Sequence, residues 1–136
     1  MPFKIIIISL KEAMTFQDSI KICFKKKFAD FNGRASRSEF WFFYLFAILV
    51  YFISFFLAFQ MPFFFAVAII FGLILFVPAL AVTARRLHDM GYSGWWQLTA
   101  YIPYVGLIAS IILIVIFCME GEKKKNKYGK PIKLRR

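Results

Sequence analysis

Hydrophobic and polar positions divide this chain into blocks. Phe40 to Ala84 is a run of 45 residues without Asp, Glu, Lys or Arg, and Gln97 to Met119 is a second such run of 23. Crossing a hydrocarbon core ~30 Å thick takes ~20 apolar residues. The first run is long enough for two spans and the second for one. Gln60-Met61-Pro62 is the only break in the first run, so hydrophobic segments are expected at 38–59 and 63–84, joined as a tight hairpin. Ser36 and Glu39 form an S-x-x-E box just before the first segment, which places its start near Ser36. Pro78 falls inside the second segment and is expected to kink it, freeing the carbonyl of Ile74.

The third segment, 95–119, is interrupted by Pro103 and Gly106. Its 25 residues reach ~37 Å as a helix, enough for one tilted span. Such a span would put the basic N-terminal region and the basic tail at 120–136 on opposite sides of the bilayer, against the positive-inside tendency. A re-entrant turn at 101–106 would put both on one side. Length favours the span and charge favours re-entry; the balance leans to the span, with re-entry left open. Ser54/Ala58, Ala68/Gly72 and Gly106/Ser110 are small-residue pairs of the kind that let helices approach closely.

Upstream, residues 15–28 carry a helical pattern. Phe16, Ile20, Cys23, Phe24 and Phe28 recur at three- and four-residue steps, and Thr15 with Asp18 has capping-box spacing. The segment is too polar to span. It reads either as an amphipathic helix in the membrane interface or as a helix packed on the bundle end. Asp30-Phe31-Asn32-Gly33 is a turn signal. The fold expected is thus an all-α integral membrane protein: a bundle of three hydrophobic membrane-embedded helical segments in one domain, with an N-terminal amphipathic interfacial helix.

Composition strengthens that class. Of 136 residues, 61% are hydrophobic, more than a soluble domain of this size can bury. Net charge is +11, and the Lys and Arg flank the apolar runs. Juxtamembrane cations of this kind set topology and touch anionic headgroups. No nucleic-acid recognition module accompanies them, so no nucleic acid is expected as a partner. Ile5–Leu10 is too short for a secretory h-region and no cleavable signal is expected. Cys23 and Cys118 lie in different segments, which argues against a disulfide or a cysteine metal site.

The candidate chemistry sits in RRLHDMGYSGWW at 85–96. Arg85 and Arg86 suit the end of a span, Asp89 is spaced to pair with either, and Gly91 and Gly94 provide a stop and a turn. Trp41, Trp95 and Trp96 read as interface anchors, and Tyr44 suits the same belt. A tight hairpin returns the second span to the side where the first began. That brings Arg34, Arg37 and Glu39 together with Arg85, Arg86, His88 and Asp89. In this polar cluster Glu39 and Asp89 would share four arginines, leaving positive charge for anionic lipid or an acidic partner. His88 is expected to be a neutral hydrogen-bond partner, because arginines outnumber acids around it. His88, Asp89 and Ser93 supply the residue types of a hydrolase, yet adjacent helix positions point apart, so no catalytic residue is assigned. A lone histidine does not make a zinc site, and no metal or cofactor is expected.

The blocks GRASRSEFWFF at 33–43, RRLHDMGYSGWW at 85–96, IPYVG at 102–106 and NKYGKP at 126–131 resemble, in order and spacing, the domain-of-unknown-function 805 family. The likeness runs from about Phe16 to Pro131. It implies a small multi-pass protein of the bacterial inner membrane and no catalytic or cofactor residues. Its characteristic polar, turn and interface positions correspond here to Gly33, Arg34, Arg37, Glu39, Trp41, Arg85, Arg86, His88, Asp89, Gly91, Gly94, Trp95 and Tyr128. Family members begin near the amphipathic helix, so Met14 is the expected start. The function expected is non-enzymatic: binding of anionic lipid, a membrane-protein partner or a second copy of the chain. The alternative is a small transporter or channel component. That alternative predicts ionisable groups inside the spans, and the two charge-free runs hold no Asp, Glu, Lys or Arg.

Overall fold

The computed structural model describes residues 15–132, and the expected start at Met14 lies outside them. Among the described residues there are helices and no strands. Helix α1, Phe16–Lys21, starts where Thr15 predicts. The Thr15 hydroxyl accepts from the Asp18 N–H at 3.2 Å while the Asp18 carboxylate accepts from the Thr15 N–H at 3.3 Å. The helix continues as a π-turn, Ile22–Lys26, and stops two residues short of the expected end. Its apolar face lies on the first turns of the next helix: Phe16 meets Phe42 edge-on at 6.0 Å, and Phe24 meets Phe46 the same way at 5.8 Å. Ser19 and Cys23 are buried beneath it.

Helix α2, Arg37–Gln60, is capped by Ser36, whose hydroxyl accepts from the Glu39 N–H at 3.1 Å. Met61 and Pro62 turn the chain into α3, Phe63–Asp89. Both helices are long and apolar enough to cross a membrane. At 1.5 Å per residue their 24 and 27 residues reach roughly 36 and 40 Å. α3 runs five residues past the expected end at Ala84 and continues through Pro78, which is buried. Midway along the hairpin the Tyr51 side chain lies over Gly72, where a Cβ would stand 3.2 Å from the Tyr51 hydroxyl oxygen. Tyr44 links the two helices nearer the packed end. Its hydroxyl lies 2.8 Å from Thr83 Oγ1, which itself donates to the Ala79 carbonyl at 2.7 Å, so Tyr44 donates across to α3.

The third apolar segment is not one helix. A 3-10 helix, Gly94–Tyr101, is followed by a turn and then by α4, Gly106–Cys118. Pro103 has no N–H to continue a ladder, and Tyr104 takes a left-handed φ of 66°. Gly106 is the tight point, because a Cβ there would meet the Ala100 carbonyl oxygen at 2.3 Å. The 13 residues of α4 reach only ~20 Å. The segment leaves and returns at one end of the molecule. Gly94 rests on Ala84 and His88, where a Cβ would stand 2.8 Å from the Ala84 Cβ. The other limb closes at Asp89, whose carbonyl accepts from the Glu122 N–H at 2.9 Å.

The core gathers at that end. Phe40, Phe43 and Ala47 of α2 bury against Val82 and Leu87 of α3 and Leu113 and Phe117 of α4. The other half of the hairpin buries little: Phe59 is 77% exposed and Phe63 72%. An apolar surface of this extent is not sustained by water, and it matches hydrocarbon.

Candidate functional site

Three stretches that are remote in sequence meet at the packed end: the 33–39 turn and first turn of α2, the last turn of α3, and the tail after α4. The backbone brings the first two together, with the Ala35 N–H donating to the Arg85 carbonyl at 3.0 Å. Arg85 is fully buried and pairs with the Glu39 carboxylate. Asp89 is shared. Its Oδ1 accepts from Arg34 Nε at 2.8 Å, and its Oδ2 pairs with Arg86, also fully buried. Charges removed from water are stable only when paired and hydrogen-bonded, and the carbonyls of the tail provide the remaining acceptors. Arg34 donates to the carbonyls of Asp89 and Lys124, both at 3.1 Å, and to that of Glu122. Arg86 donates to the Phe117 carbonyl from Nη2 at 3.0 Å and to that of Met119. Gly121 lets the tail pass this close, since a Cβ there would fall 1.9 Å from Asp89 Oδ2. Arg85 is less well served: among the described residues its Nε and Nη2 have no oxygen or nitrogen acceptor, and the Cys23 thiol is the polar group beside its guanidinium.

Arg37 does not join this buried set. Its side chain is 39% exposed and reaches the Cys118 carbonyl at 3.4 Å and Glu120 at 3.8 Å. Residues two apart on a helix do not share a face, so Glu39 turns inward while Arg37 stays at the rim. The expected sharing of two acids among four arginines therefore resolves into Glu39 with Arg85, Asp89 with Arg34 and Arg86, and Arg37 with Glu120.

His88 is beside the ion pairs. Its Nδ1 lies 3.1 Å from the Gly33 carbonyl, which can only accept, so Nδ1 donates. Its ring stacks on Tyr128 with centroids 3.8 Å apart and planes at 7°. Its own carbonyl accepts from the Asn126 amide at 3.0 Å. Ser93 caps the 3-10 helix by accepting from the Trp95 N–H at 3.4 Å. His88, Asp89 and Ser93 are thus each engaged with a different partner. Among the described residues no three His, Cys, Asp or Glu are placed to hold a metal ion. Trp41, Trp95 and Trp96 all present exposed side chains. Under α1, burial pushes the Cys23 thiol up to about 11, helped by the nearby Glu39 carboxylate.

Reading the segment after 120 as a basic tail missed its part in this arrangement. Residues 126–129 fold back on themselves, with the Asn126 and Gly129 backbones exchanging two hydrogen bonds of 3.1 Å. Tyr128 thereby reaches His88. The NKYGKP block carried the signal, an asparagine and a glycine bracketing a turn. The lysines of this region lie outside. Lys123, Lys124, Lys125, Lys127 and Lys130 are exposed, as are Lys21, Lys25 and Lys26 of the N-terminal helix.

Two apolar helices that fit membrane spans, closed at one end by buried ion pairs, define a small helical protein of membrane type. The chain belongs to the family described as "Protein of unknown function (DUF805)", whose model matches residues 28–130 and so omits α1. It is similar to inner membrane protein YhaI of Escherichia coli K12, 35% identical over 108 residues, covering 76% of this chain and 86% of that protein. It is also similar to inner membrane protein YhaH of the same strain, 36% identical over 114 residues, covering 80% and 92%. No solved structure matches the chain.

Proposed function

We propose that this chain is a multi-pass protein of the bacterial inner membrane, non-enzymatic, that binds anionic lipid headgroups through an array of lysines on its cytoplasmic face. In this reading α2 and α3 span, the 3-10 helix and α4 form a re-entrant hairpin, and both basic regions lie on the cytoplasmic side. The observation that carries it is the division of cations at the packed end. Arg34, Arg85 and Arg86 are buried and spent on carboxylates and carbonyls, whereas the lysines of α1 and of the tail stand free of the core on the same end. The opposite end, at the 60–62 turn, carries no charge, and neither does the 102–105 turn about midway along the hairpin. This asymmetry agrees with the positive-inside rule, and each lysine near an anionic surface contributes about 1 kcal/mol of attraction. The inner-membrane names of YhaI and YhaH support the location. The separate engagements of His88, Asp89 and Ser93 support a non-enzymatic role.

Two measurements test it. A fluorescent protein fused to the C-terminus should glow, and an alkaline phosphatase fused there should be inactive; the reverse pattern refutes the topology. In reconstituted vesicles, spin-labelled phosphatidylglycerol should be immobilised in preference to phosphatidylethanolamine. The preference should fade with added salt and with Lys123→Glu/Lys124→Glu/Lys125→Glu. Equal immobilisation of the two lipids refutes the headgroup binding.

A further inference from the structure

Beside His88 the packed end opens into a groove of about 640 Å³ between α3, the 3-10 helix, the 31–32 turn and the tail. The buried ion pairs do not line it. Its walls change character along their length. Leu80 and Ala84 form one stripe of α3, and Phe31, Trp95 and Leu98 add further apolar lining. Asn32, Ser93, His88 and Tyr128 give the His88 end, the mouth, its polar atoms, while Gln97 lies toward Leu80 and also lines the neighbouring cavity beside Ala79 and Thr83. From Leu80 to His88 the stripe climbs eight residues, or ~12 Å along the helix. Lys127 lies outside this lining, its ammonium 4.9 Å from the centre of the Tyr128 ring, whose other face His88 covers.

We propose that this groove holds one anionic phospholipid, with part of an acyl chain on Leu80, Ala84 and Leu98 and the phosphodiester at the mouth. The choice of occupant follows from the gradient. A soluble anion would leave the apolar stripe of Leu80 and Ala84 uncovered, and a plain hydrocarbon would leave the Asn32 amide and the nearby Lys127 ammonium without use. A phospholipid matches both ends, and the cation at the rim selects a headgroup with net negative charge over a zwitterionic one. His88 serves as wall. Its Nδ1 is held by Gly33 and its ring by Tyr128, so Tyr128 closes one side of the mouth. The site rests on the membrane orientation proposed above, which sets the mouth at headgroup level. It differs from the lysine array in predicting a fixed stoichiometry.

Native mass spectrometry of the full chain, purified from membranes in mild detergent, tests the site. Wild type should retain one phosphatidylglycerol-type lipid per chain. Gln97→Trp, which fills the groove without touching a cap or an ion pair, should lower that occupancy about tenfold. Should Gln97→Trp not fold, Lys127→Glu at the exposed rim should shift the retained lipid from phosphatidylglycerol to phosphatidylethanolamine. Lys25→Glu/Lys26→Glu, on the array but away from the groove, should keep the bound lipid while weakening the vesicle preference. No retained lipid on wild type, equal retention in Gln97→Trp, or retention of phosphatidylethanolamine by wild type would each overturn the groove. Loss of the vesicle preference with one lipid still retained would refute the array and leave the groove standing.

Discussion

Arg85 and Arg86 are neighbours, equally buried, and differ in what they use. Arg86 employs Nε, Nη1 and Nη2, on Asp89 and on the Phe117 and Met119 carbonyls. Arg85 employs Nη1 on Glu39 and leaves Nε and Nη2 without an oxygen or nitrogen acceptor. A lysine offers one ammonium, which keeps a single ion pair and cannot reproduce a fork. Arg85→Lys should therefore stay near wild-type stability, because it preserves the Glu39 pair and removes two groups that lack such an acceptor. Arg86→Lys should lose about 1–3 kcal/mol through stranded carbonyls and an imperfect pair. Thermal unfolding of both variants in one detergent checks the contrast, and equal losses contradict it. His88 gives a graded series. His88→Gln keeps a donor for the Gly33 carbonyl but loses the Tyr128 stack, worth about 0.5–1.5 kcal/mol. His88→Leu loses both, so its melting temperature should fall below that of the Gln variant; equal values for the two variants would mean that the Gly33 bond adds nothing. The sequence exposed the residue types of this cluster through their isolation among apolar neighbours. It did not expose who pairs with whom, because Glu39 and Asp89 each had several arginines within reach on paper. The choice depends on tail carbonyls, which every residue possesses and which leave no mark in a sequence.

Elements were legible where their ends are written in side chains. Thr15 and Ser36 start α1 and α2 as their spacing predicts, and Met61-Pro62 turns the hairpin. The third segment was harder, because a run of uniformly apolar residues looks alike whether it crosses a bilayer or folds back within it. What breaks it is backbone contact at Gly94 and Gly106, and close approach to Ala84 and Ala100 belongs to tertiary structure. α1 offers a direct test of capping. Its cap is doubled, and the Thr15 hydroxyl and N–H hold the Asp18 carboxyl below the ordinary carboxylate range. A depressed folded-state value means that the contribution of this cap is present above the unfolded value and is lost as pH falls through the folded one. At neutral pH it is in force. Cys23 lies beneath α1, buried and with its thiol pushed up to about 11, so it reacts with maleimide only when α1 lifts. In a Cys118→Ser background, Thr15→Ala should label Cys23 about fivefold faster, the effect of about 1 kcal/mol of lost cap. An unchanged rate would mean that α1 is held by Phe16 and Phe24 alone.

At the scale of the whole molecule, the hydrophobic pattern sets the class of the protein and the packed end sets its shape. The half of the hairpin near Met61 buries little of its own surface, so its order depends on the surrounding hydrocarbon and on the hydrogen bonds within each helix. The other half is a small folded unit in which three remote stretches interlock. This division changes what the segment after α4 is for. A chain of lysines reads as a solvated appendage, and composition alone supports nothing more. In the structure, residues 120–132 place the carbonyls of Glu122 and Lys124 on Arg34, the Glu122 N–H on the Asp89 carbonyl, and Tyr128 on His88. Removing them would strip Arg34 of the Glu122 and Lys124 carbonyls, and hydrogen bonds to a charged group contribute about 1.5–3 kcal/mol each. A chain ending at Met119 should thus yield little monodisperse protein by size exclusion in detergent. A chain ending at Ile132 keeps the contacts to Arg34, Asp89 and His88 and should yield far more monodisperse protein than the shorter one. A free tail that serves only as a topology signal predicts near-normal yield from both truncations, so a well-behaved chain ending at Met119 would remove the tail from the folded unit.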